Sequence, residues 1–185
     1  TEHFEPIRVD KIKYSCTLWG RLDFGPNIAA IDWFAKNVWE NMRRQNEAAT
    51  FDVFGFNATE YIQSLAKRYK FNVMADLPDL RSEVQKRQVV VMPFISGGGI
   101  KNKFLEAAAM GMPIIANSRA TNGIDRPMEA PWISAETDRQ WVDALSSLWN
   151  SPSDMRKRGK MARRWVESTC TWQKAAQIAV EGIRQ

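Results

Sequence analysis

The stretch between residues 89 and 116 constrains the fold of this chain more than any other. Residues 89–93 are apolar and predict a buried strand, and three consecutive glycines at 97–99 predict a turn after it. The alanine-rich run 100–110 predicts a helix, and residues 114–116 predict a second short strand. Strand, glycine turn, helix and strand in this order form a parallel βαβ unit, in which the glycine turn leads into a helix N-terminus.

The glycine turn has two interpretations. Its free backbone N–H groups and the partial positive charge of the helix N-terminus suit a phosphate group. Alternatively, the glycines only allow the helix and the strand to pack closely. The glycines alone do not decide between these, because a glycine turn is a weak motif.

The rest of the chain continues the alternation of strands and helices. Further strands are predicted at 12–19, 51–54, 71–74 and 131–134. Helices are predicted at 59–68, at 79–86 and, with breaks near 151–152 and 169–171, from 136 to 185, and a long amphipathic helix is predicted after Asn27, a suitable N-cap. We therefore predict a tail or linker at 1–11 and one α/β domain at 12–185, with a doubly wound parallel sheet that binds ligands at the C-terminal ends of its strands.

The residue types that are missing exclude several kinds of chemistry. His3 is the only histidine, so a serine or cysteine nucleophile would have no histidine base in the folded body. The sequence has no HExxH motif, no Cys/His cluster and no DxD pair, so we expect no metal site. Cys16 and Cys170 lie far apart and favour a reduced, cytoplasmic setting.

Most of the net charge of +5 comes from one basic run at 155–164. The run is either a solvated helix face or a surface that attracts an anionic membrane or a polyanionic acceptor, which would place the protein at the inner face of a membrane. Aromatic residues do not interleave with the cations, so nucleic acid is not an expected partner. The cations are Arg156, Lys157, Arg158, Lys160, Arg163 and Arg164.

Two loops at predicted strand ends carry side chains that suit a phosphorylated ligand. Arg21 offers a planar fork of N–H groups, and Lys101 and Lys103 offer point charges. Glu106 follows Lys103 by three residues, so both lie on one helix face. The Glu106 carboxylate could accept hydrogen bonds from the two hydroxyls of a ribose. The alternative is an exposed glutamate paired with Lys103.

Several ordered motifs resemble those of a known family. Residues 103–115, KFLEAAAMGMPII, resemble the pattern K-x-L-E-A-x-A-x-G-x-P of retaining, family 4 GT-B glycosyltransferases (glycosyl transferases group 1). LWGRLDFGPNIAAIDWF, FDVFGFN and FNVMADLPDL resemble earlier segments of the same family in the same order, and Ala162-Arg163 and Trp172 resemble later positions. The resemblance extends over residues 14–183 and is to the donor-binding, C-terminal half of the two Rossmann-like domains in these enzymes.

The resemblance implies a hexosyltransferase that uses a nucleoside-diphosphate sugar and no metal. The acceptor, such as a growing bacterial polysaccharide or a lipid-linked glycan, would belong to an N-terminal domain absent from this chain, so the isolated domain should be inactive. The implied base-proximal residues are Met74, Ala75 and Leu77. The implied donor-binding residues are Arg21, Gly98, Gly99, Ile100, Lys101, Asn102, Lys103 and Glu106, with Glu106 on the ribose.

The sequence departs from the family pattern at three positions. Gly98 stands where the first of two glutamates is usual, Pro26 stands near the usual position of a lysine, and Ala75 replaces a glycine. These departures motivate a second hypothesis, that of a degenerate, non-catalytic nucleotide-binding or interaction domain. A third, an epimerase related to GT-B enzymes, lacks the histidine and acidic residues it would need.

Overall fold

One parallel sheet organises the fold. The computed structural model describes residues 3–99, 101–124 and 127–170. Within these residues the sheet has the strand order β3-β2-β1-β4-β5-β6, and every pair is parallel. Since the order reverses between β1 and β4, their C-terminal ends form a crevice, and the predicted doubly wound α/β fold is confirmed. The strands are β1 (Ser15–Arg21), β2 (Thr50–Phe56), β3 (Asn72–Ala75), β4 (Val89–Met92), β5 (Ile114–Ala116) and β6 (Ile133–Ser134).

The helices connect these strands. α1 (Gly25–Phe34) runs through a π-helical turn (Ala35–Trp39) into α2 (Glu40–Gln45), and this helix packs against α3 (Glu60–Tyr69) and α6 (Asp138–Asn150). The others are α4 (Arg81–Gln85), α5 (Asn102–Ala109) and α7 (Pro152–Thr169), and α5 packs against α7. No helix among the described residues is long and apolar enough to cross a membrane.

Two aromatic clusters fill the core. Phe34 and Trp141 pack edge to face, with ring centroids 5.9 Å apart, and Phe34 also lies 4.8 Å from Phe51 of β2. The second cluster joins Phe104 of α5 to Trp132 and Trp165, with centroids 5.1 to 6.0 Å apart. The five aromatic residues other than Phe51 lie in helices or loops, and each is at most 9% exposed. Burial of these large side chains is the main source of stability.

Several predicted boundaries were wrong at the start of the domain. The strand predicted at 12–19 begins at Ser15, because Tyr14 has a left-handed φ of 55° and Ile12 N–H bonds to Lys86 O. The strand continues through Arg21, which the prediction placed in the loop. Asn27 is not an N-cap: α1 begins earlier, at Gly25, with Phe24 in the capping position and no side-chain cap.

Two other predictions concern the last part of the chain and the helix after the glycine turn. That helix begins at Asn102, later than the predicted residue 100, and Ile100 lies outside the described residues. The helical prediction for 136–170 is met by α6 and α7, with the break at Ser151. Residues 171–185, including Trp172, lie outside the described part of the chain.

A close approach between backbones fixes α7 against the end of α5. Gly111 ends α5 with a φ of 63°, and a Cβ added to Gly159 of α7 would lie only 2.2 Å from Gly111 O. Only glycine at position 159 allows this distance. The contact keeps α5, and with it the side chains on its first turn, in a fixed position relative to α7.

Candidate functional site

A cavity of about 890 Å³ opens at the C-terminal ends of β1, β2 and β4. Doubly wound sheets bind their ligands at this edge. The cavity walls come from the end of β1 and the start of α1, from the end of β2, from the segment before α4, from the start of α5, and from the N-terminal segment. The lining residues are His3, Phe4, Trp19, Gly20, Arg21, Phe24, Pro26, Asn27, Gly55, Phe56, Leu77, Pro78, Asp79, Leu80, Arg81, Phe94, Gly98, Lys101, Asn102, Lys103 and Glu106.

The structure brings most of the predicted site residues to this cavity. The residues that line it are Arg21, Gly98, Lys101, Asn102, Lys103, Glu106 and Leu77. Met74 lines a different cavity beside Arg87, Ala75 pairs with Gly55 in the sheet, and Gly99 is an exposed turn residue outside the lining set. Of the predicted base-proximal residues, only Leu77 lines this cavity, whereas six of the predicted donor-binding residues do.

The first turn of α5 faces the cavity without a side-chain cap. Lys101 occupies the capping position, and its own Nζ donates to Gly98 O at 2.7 Å. Asn102 and Lys103, the first two helical residues, both line the cavity. The first N–H groups of a helix have no partner within the helix and carry partial positive charge, so this turn can receive an anion.

Lys103 is a partly buried cation rather than a fully exposed one. Its Nζ donates to Asn27 Oδ1 at 2.7 Å and lies 5.1 Å from the centre of the Phe94 ring. Desolvation by burial, aided by Lys101 and opposed by Glu106, lowers the pKa of Lys103 to about 8. The ammonium lies so close to the end of β1 that a Cβ on Gly20 would be 2.6 Å from Nζ. Because burial has removed part of the water around this ammonium, an anionic ligand would stabilise its charged form by replacing the lost interactions.

Asn27 of α1 holds Lys103 of α5 in place. Its Nδ2 donates to Arg21 O at 2.7 Å, while its Oδ1 accepts from Lys103. The side chain is 5% exposed. Asn27 therefore connects β1 to α5, and the sequence missed this role because the contact joins residues 76 positions apart.

Glu106 is held by a tryptophan and not by Lys103. Its Oε2 accepts a hydrogen bond of 2.9 Å from Nε1–H of Trp19, which is 4% exposed. The predicted alternative, a surface pair with Lys103, is therefore wrong in its geometry. Trp19 occupies one carboxylate oxygen, so a ligand in the cavity would meet the other. A carboxylate fixed in this manner is well suited to accept hydrogen bonds from sugar hydroxyls.

Arg21 lies at the cavity but is engaged elsewhere. Its guanidinium makes two hydrogen bonds to Asp23, at 3.0 and 2.7 Å, and its side chain is 68% exposed. Hydrogen bonds from Arg21 and from Asn57 hold the pKa of Asp23 below its usual range. A phosphate would have to compete with Asp23 for this guanidinium, which makes Arg21 a weaker candidate than Lys103.

The predicted basic run divides into two groups in the structure. Arg156, Lys157, Lys160 and Arg164 are exposed, and we call these four residues the basic stripe. Arg158 pairs with Asp154 at 3.0 Å, and Arg163 turns inward to donate to Ala109 O at 2.5 Å. The run is therefore partly a solvated face and partly structural. Among the described residues, no group of three or more His, Cys, Asp and Glu side chains is placed to hold a metal ion.

The chain is similar to known proteins in sequence and in fold. A model of the family described as glycosyl transferases group 1 matches residues 13–151. The C-terminal domain of the glycosyl transferase group 1 family protein LpcC from Francisella tularensis is 15% identical, with a TM-score of 0.69 over 92% of this chain and 97% of that chain. A search of curated proteins by sequence found no match.

Two longer proteins share the fold over nearly the whole of this chain. A TarM variant from S. aureus, solved in complex with fondaparinux, alpha-GlcNAc-glycerol and UDP, is 12% identical, with a TM-score of 0.75 over 96% of this chain and 36% of that chain. Sucrose-phosphate synthase from Thermosynechococcus elongatus is 17% identical, with a TM-score of 0.75 over 100% of this chain and 50% of that chain. This chain thus spans half or less of these two proteins. The matches confirm the predicted fold, that of the C-terminal half of GT-B glycosyltransferases.

Proposed function

This chain belongs to the glycosyl transferases group 1 family, and we propose that it is the donor-binding domain of a retaining hexosyltransferase. The parent protein would transfer a sugar from a nucleoside-diphosphate sugar to an acceptor such as a growing polysaccharide or a lipid-linked glycan. One observation carries the proposal. One cavity at the strand ends is lined by the partly buried ammonium of Lys103, by the fixed carboxylate of Glu106 and by the uncapped start of α5.

The proposal assigns each part of the ligand to a part of the cavity. The diphosphate lies against the first turn of α5, beside Lys103 Nζ, where both the helix dipole and the ammonium favour negative charge. The ribose hydroxyls donate to the carboxylate oxygen of Glu106 that Trp19 leaves free. The base lies towards Leu77, at the end of the cavity formed by the segment before α4. Gly98 and Gly99 shape the turn that leads to α5.

The same groups supply what the transfer reaction requires from a donor domain. When the bond between the anomeric carbon and the diphosphate oxygen breaks, the electron pair leaves with the nucleoside diphosphate. Negative charge then grows on the oxygen next to Lys103 and α5. Groups that are already oriented towards this charge lower the barrier, because they need not reorganise during the reaction. The acceptor and the remaining catalytic groups belong to the proposed N-terminal domain, so we expect this chain alone to bind the donor without transferring the sugar.

Calorimetry with UDP, GDP and ADP on this chain tests the proposal. UDP is the first ligand to try, because the TarM structure contains it. We expect saturable binding of at least one nucleotide, and replacement of Glu106 by Ala should weaken it by roughly 10- to 150-fold, the range for a hydrogen bond to a charged group. The exposed Glu47 provides a matched control, since Glu47→Ala removes a carboxylate far from the cavity. A folded chain that binds none of the three nucleotides would refute the proposal.

A degenerate, non-catalytic domain is the second candidate, and Gly98 is the observation that favours it. A Cβ at Gly98 would have no heavy atom within 4 Å, so the space for the usual glutamate is open but the carboxylate is missing. The parent protein distinguishes the two candidates in a screen of nucleotide sugars. Sugar transfer or donor hydrolysis supports the enzyme, whereas nucleotide binding without any turnover supports the degenerate domain.

We also propose that the basic stripe attaches the parent protein to the cytoplasmic face of an anionic membrane. Arg156, Lys160 and Arg164 are four residues apart, so they lie on one side of α7, and all are exposed. The apolar side of α7 is buried in the core, where Trp165 and Val166 are at most 9% exposed, so attachment would be electrostatic and would weaken with salt.

A further inference from the structure

The N-terminal segment at residues 3–11, which we call the strap, is fixed to the domain by a buried glutamine. Gln85 of α4 is 2% exposed. Its Nε2 donates to Glu5 O at 3.0 Å, and its Oε1 accepts from Ile7 N–H at 2.9 Å. Because a buried amide without partners is costly, the side chain of Gln85 depends on the strap as much as the strap depends on it.

Two arginines fix the first residues of the strap. Arg163 of α7 donates from Nη1 to Phe4 O at 2.9 Å, and the same guanidinium holds Ala109 O at the end of α5. Arg81 donates to His3 O at 2.7 Å, and Asp79 orients the Arg81 guanidinium with a short ion pair of 2.7 Å. The strap is therefore bound by α4, through Arg81 and Gln85, and by α7, through Arg163.

These anchors place an aromatic pair in the wall of the cavity. The rings of His3 and Phe4 lie edge to face with their centroids 5.0 Å apart, and both residues line the cavity. Residues 77–81, whose Arg81 holds His3, line the cavity with apolar Leu77, Pro78 and Leu80 and with the ion pair of Asp79 and Arg81. This part of the cavity thus combines aromatic and apolar side chains, which suit a flat heterocycle, with one ion pair, whereas Lys103 and Glu106 suit phosphate and ribose.

We propose that the strap forms a wall of the nucleobase site, with the Phe4 ring in contact with the base and with Gln85 and Arg163 as positioning residues. This inference rests on the proposed function of the cavity as a nucleotide site. It assigns a binding role to a segment that the sequence predicted to be a tail or linker. Contact between an aromatic ring and a base tolerates different bases, so the strap contributes affinity for a nucleotide over a ligand without a base.

The test compares ligands with and without a base. UDP and pyrophosphate are titrated into this chain and into Phe4→Leu, which keeps an apolar side chain against the core but removes the ring. We expect Phe4→Leu to weaken UDP binding by roughly 5- to 150-fold, the range for loss of one base–aromatic contact. Pyrophosphate binding should change less than twofold. Phe4→Trp, which keeps an aromatic ring, should bind UDP about as tightly as the wild type. Tyr61→Ala removes an exposed ring on α3 and should leave the affinities for UDP and pyrophosphate unchanged.

Each outcome decides the inference. Unchanged or tighter UDP binding in Phe4→Leu, or an equal loss for UDP and pyrophosphate, would overturn the strap's role while leaving the proposed function intact. A wild-type chain that binds neither UDP, GDP nor ADP would overturn both together. If Phe4→Leu fails to fold, magnetisation transfer between the Phe4 ring protons and the uracil protons of bound UDP decides the matter in the wild-type chain. Its presence supports the contact, and its absence at saturation refutes it.

Discussion

Replacing Lys103 by Met should make the domain more stable and a poorer nucleotide binder. The Lys103 side chain is largely buried, its Nζ bonds to Asn27 Oδ1 at 2.7 Å, and burial lowers its pKa from 10.5 to about 8. At about 1.4 kcal/mol per pKa unit, keeping this ammonium charged at pH 7 costs the folded state roughly 3 kcal/mol. Met fills the same space with an apolar chain but leaves Asn27 Oδ1 without its donor, at a cost of about 1 kcal/mol.

The net gain in the free energy of unfolding should be about 2 kcal/mol at pH 7, which corresponds to a rise in Tm of roughly 4 to 8 °C for a domain of this size. The sign depends on pH in a defined way. The unfolded lysine keeps its proton up to about 10.5 and the folded one only up to about 8, so the wild-type chain gains stability as the pH rises from 8 to 10.5. The advantage of Lys103→Met should therefore be complete below pH 8 and disappear near pH 9.5. By about pH 10.5 the variant should be less stable than the wild type by about 1 kcal/mol, the cost of the unpaired Asn27 Oδ1.

Thermal unfolding followed by circular dichroism at pH 7 and at pH 10, with calorimetric titration of UDP, measures both effects. The affinity for UDP should fall by roughly 10- to 150-fold, since the lost hydrogen bond joins two charged groups. The exposed Lys67 supplies the control, because Lys67→Met should change neither quantity. A Lys103→Met variant that is less stable than the wild type at both pH values, or that binds UDP equally well, would refute the assignment of Lys103 as a desolvated phosphate-binding cation.

Four further predictions concern the pH dependence of binding, the glycine turn, the contact between α5 and α7, and the basic stripe. The affinity of the wild-type chain for UDP should fall as the pH rises through about 8, because Lys103 loses its proton there, and Lys103→Met should show a flat calorimetric profile over the same range. Gly98→Ala should leave the Tm unchanged, since its Cβ would meet open space, whereas Gly99→Ala should cost about 1 kcal/mol because the φ of Gly99 is +72°. Gly159→Ala should destabilise the domain by roughly 1 to 3 kcal/mol in urea unfolding, because its Cβ would lie 2.2 Å from Gly111 O. Gly25→Ala should not destabilise it, because a Cβ there would meet open space. Equal stability of the two variants would contradict the close packing of α7 on α5. Replacing Arg156, Lys160 and Arg164 together by Gln should reduce sedimentation with vesicles of anionic lipid, whereas the same change at Lys67, Arg68 and Lys70 of the α3 end should not, and equal sedimentation of both variants would remove the membrane role of the basic stripe.

The sequence predicted the sheet because the pattern that defines it is local. The strand at β4, the glycine turn and the alanine-rich α5 are contiguous, and each is recognisable from a few neighbouring residues. The cluster of Lys101, Lys103 and Glu106 was predictable for the same reason, since the three side chains lie within two turns of one helix. The start of α1 was less predictable, because two neighbouring residues give conflicting signals. Pro26 favours the first turn of a helix, whereas Asn27 favours the capping position before a helix.

What the sequence missed depends on contacts between distant residues. Trp19 and Glu106 are 87 positions apart, so no local pattern shows that the tryptophan fixes the carboxylate. Arg163 looks like one more cation in a basic run, and only the packing of α7 on α5 turns it towards Phe4 O and Ala109 O. The strap was interpreted as a tail because its sequence is polar, whereas its anchors come from α4 and α7.

The structure of this chain in complex with UDP tests the central claim most directly. The claim predicts that the diphosphate lies within hydrogen-bonding distance of Lys103 Nζ and the first amides of α5, and that the ribose hydroxyls donate to Glu106. UDP bound elsewhere, for example in the cavity beside Asp52 and Arg87, or bound in the main cavity with its ribose away from Glu106, would contradict it.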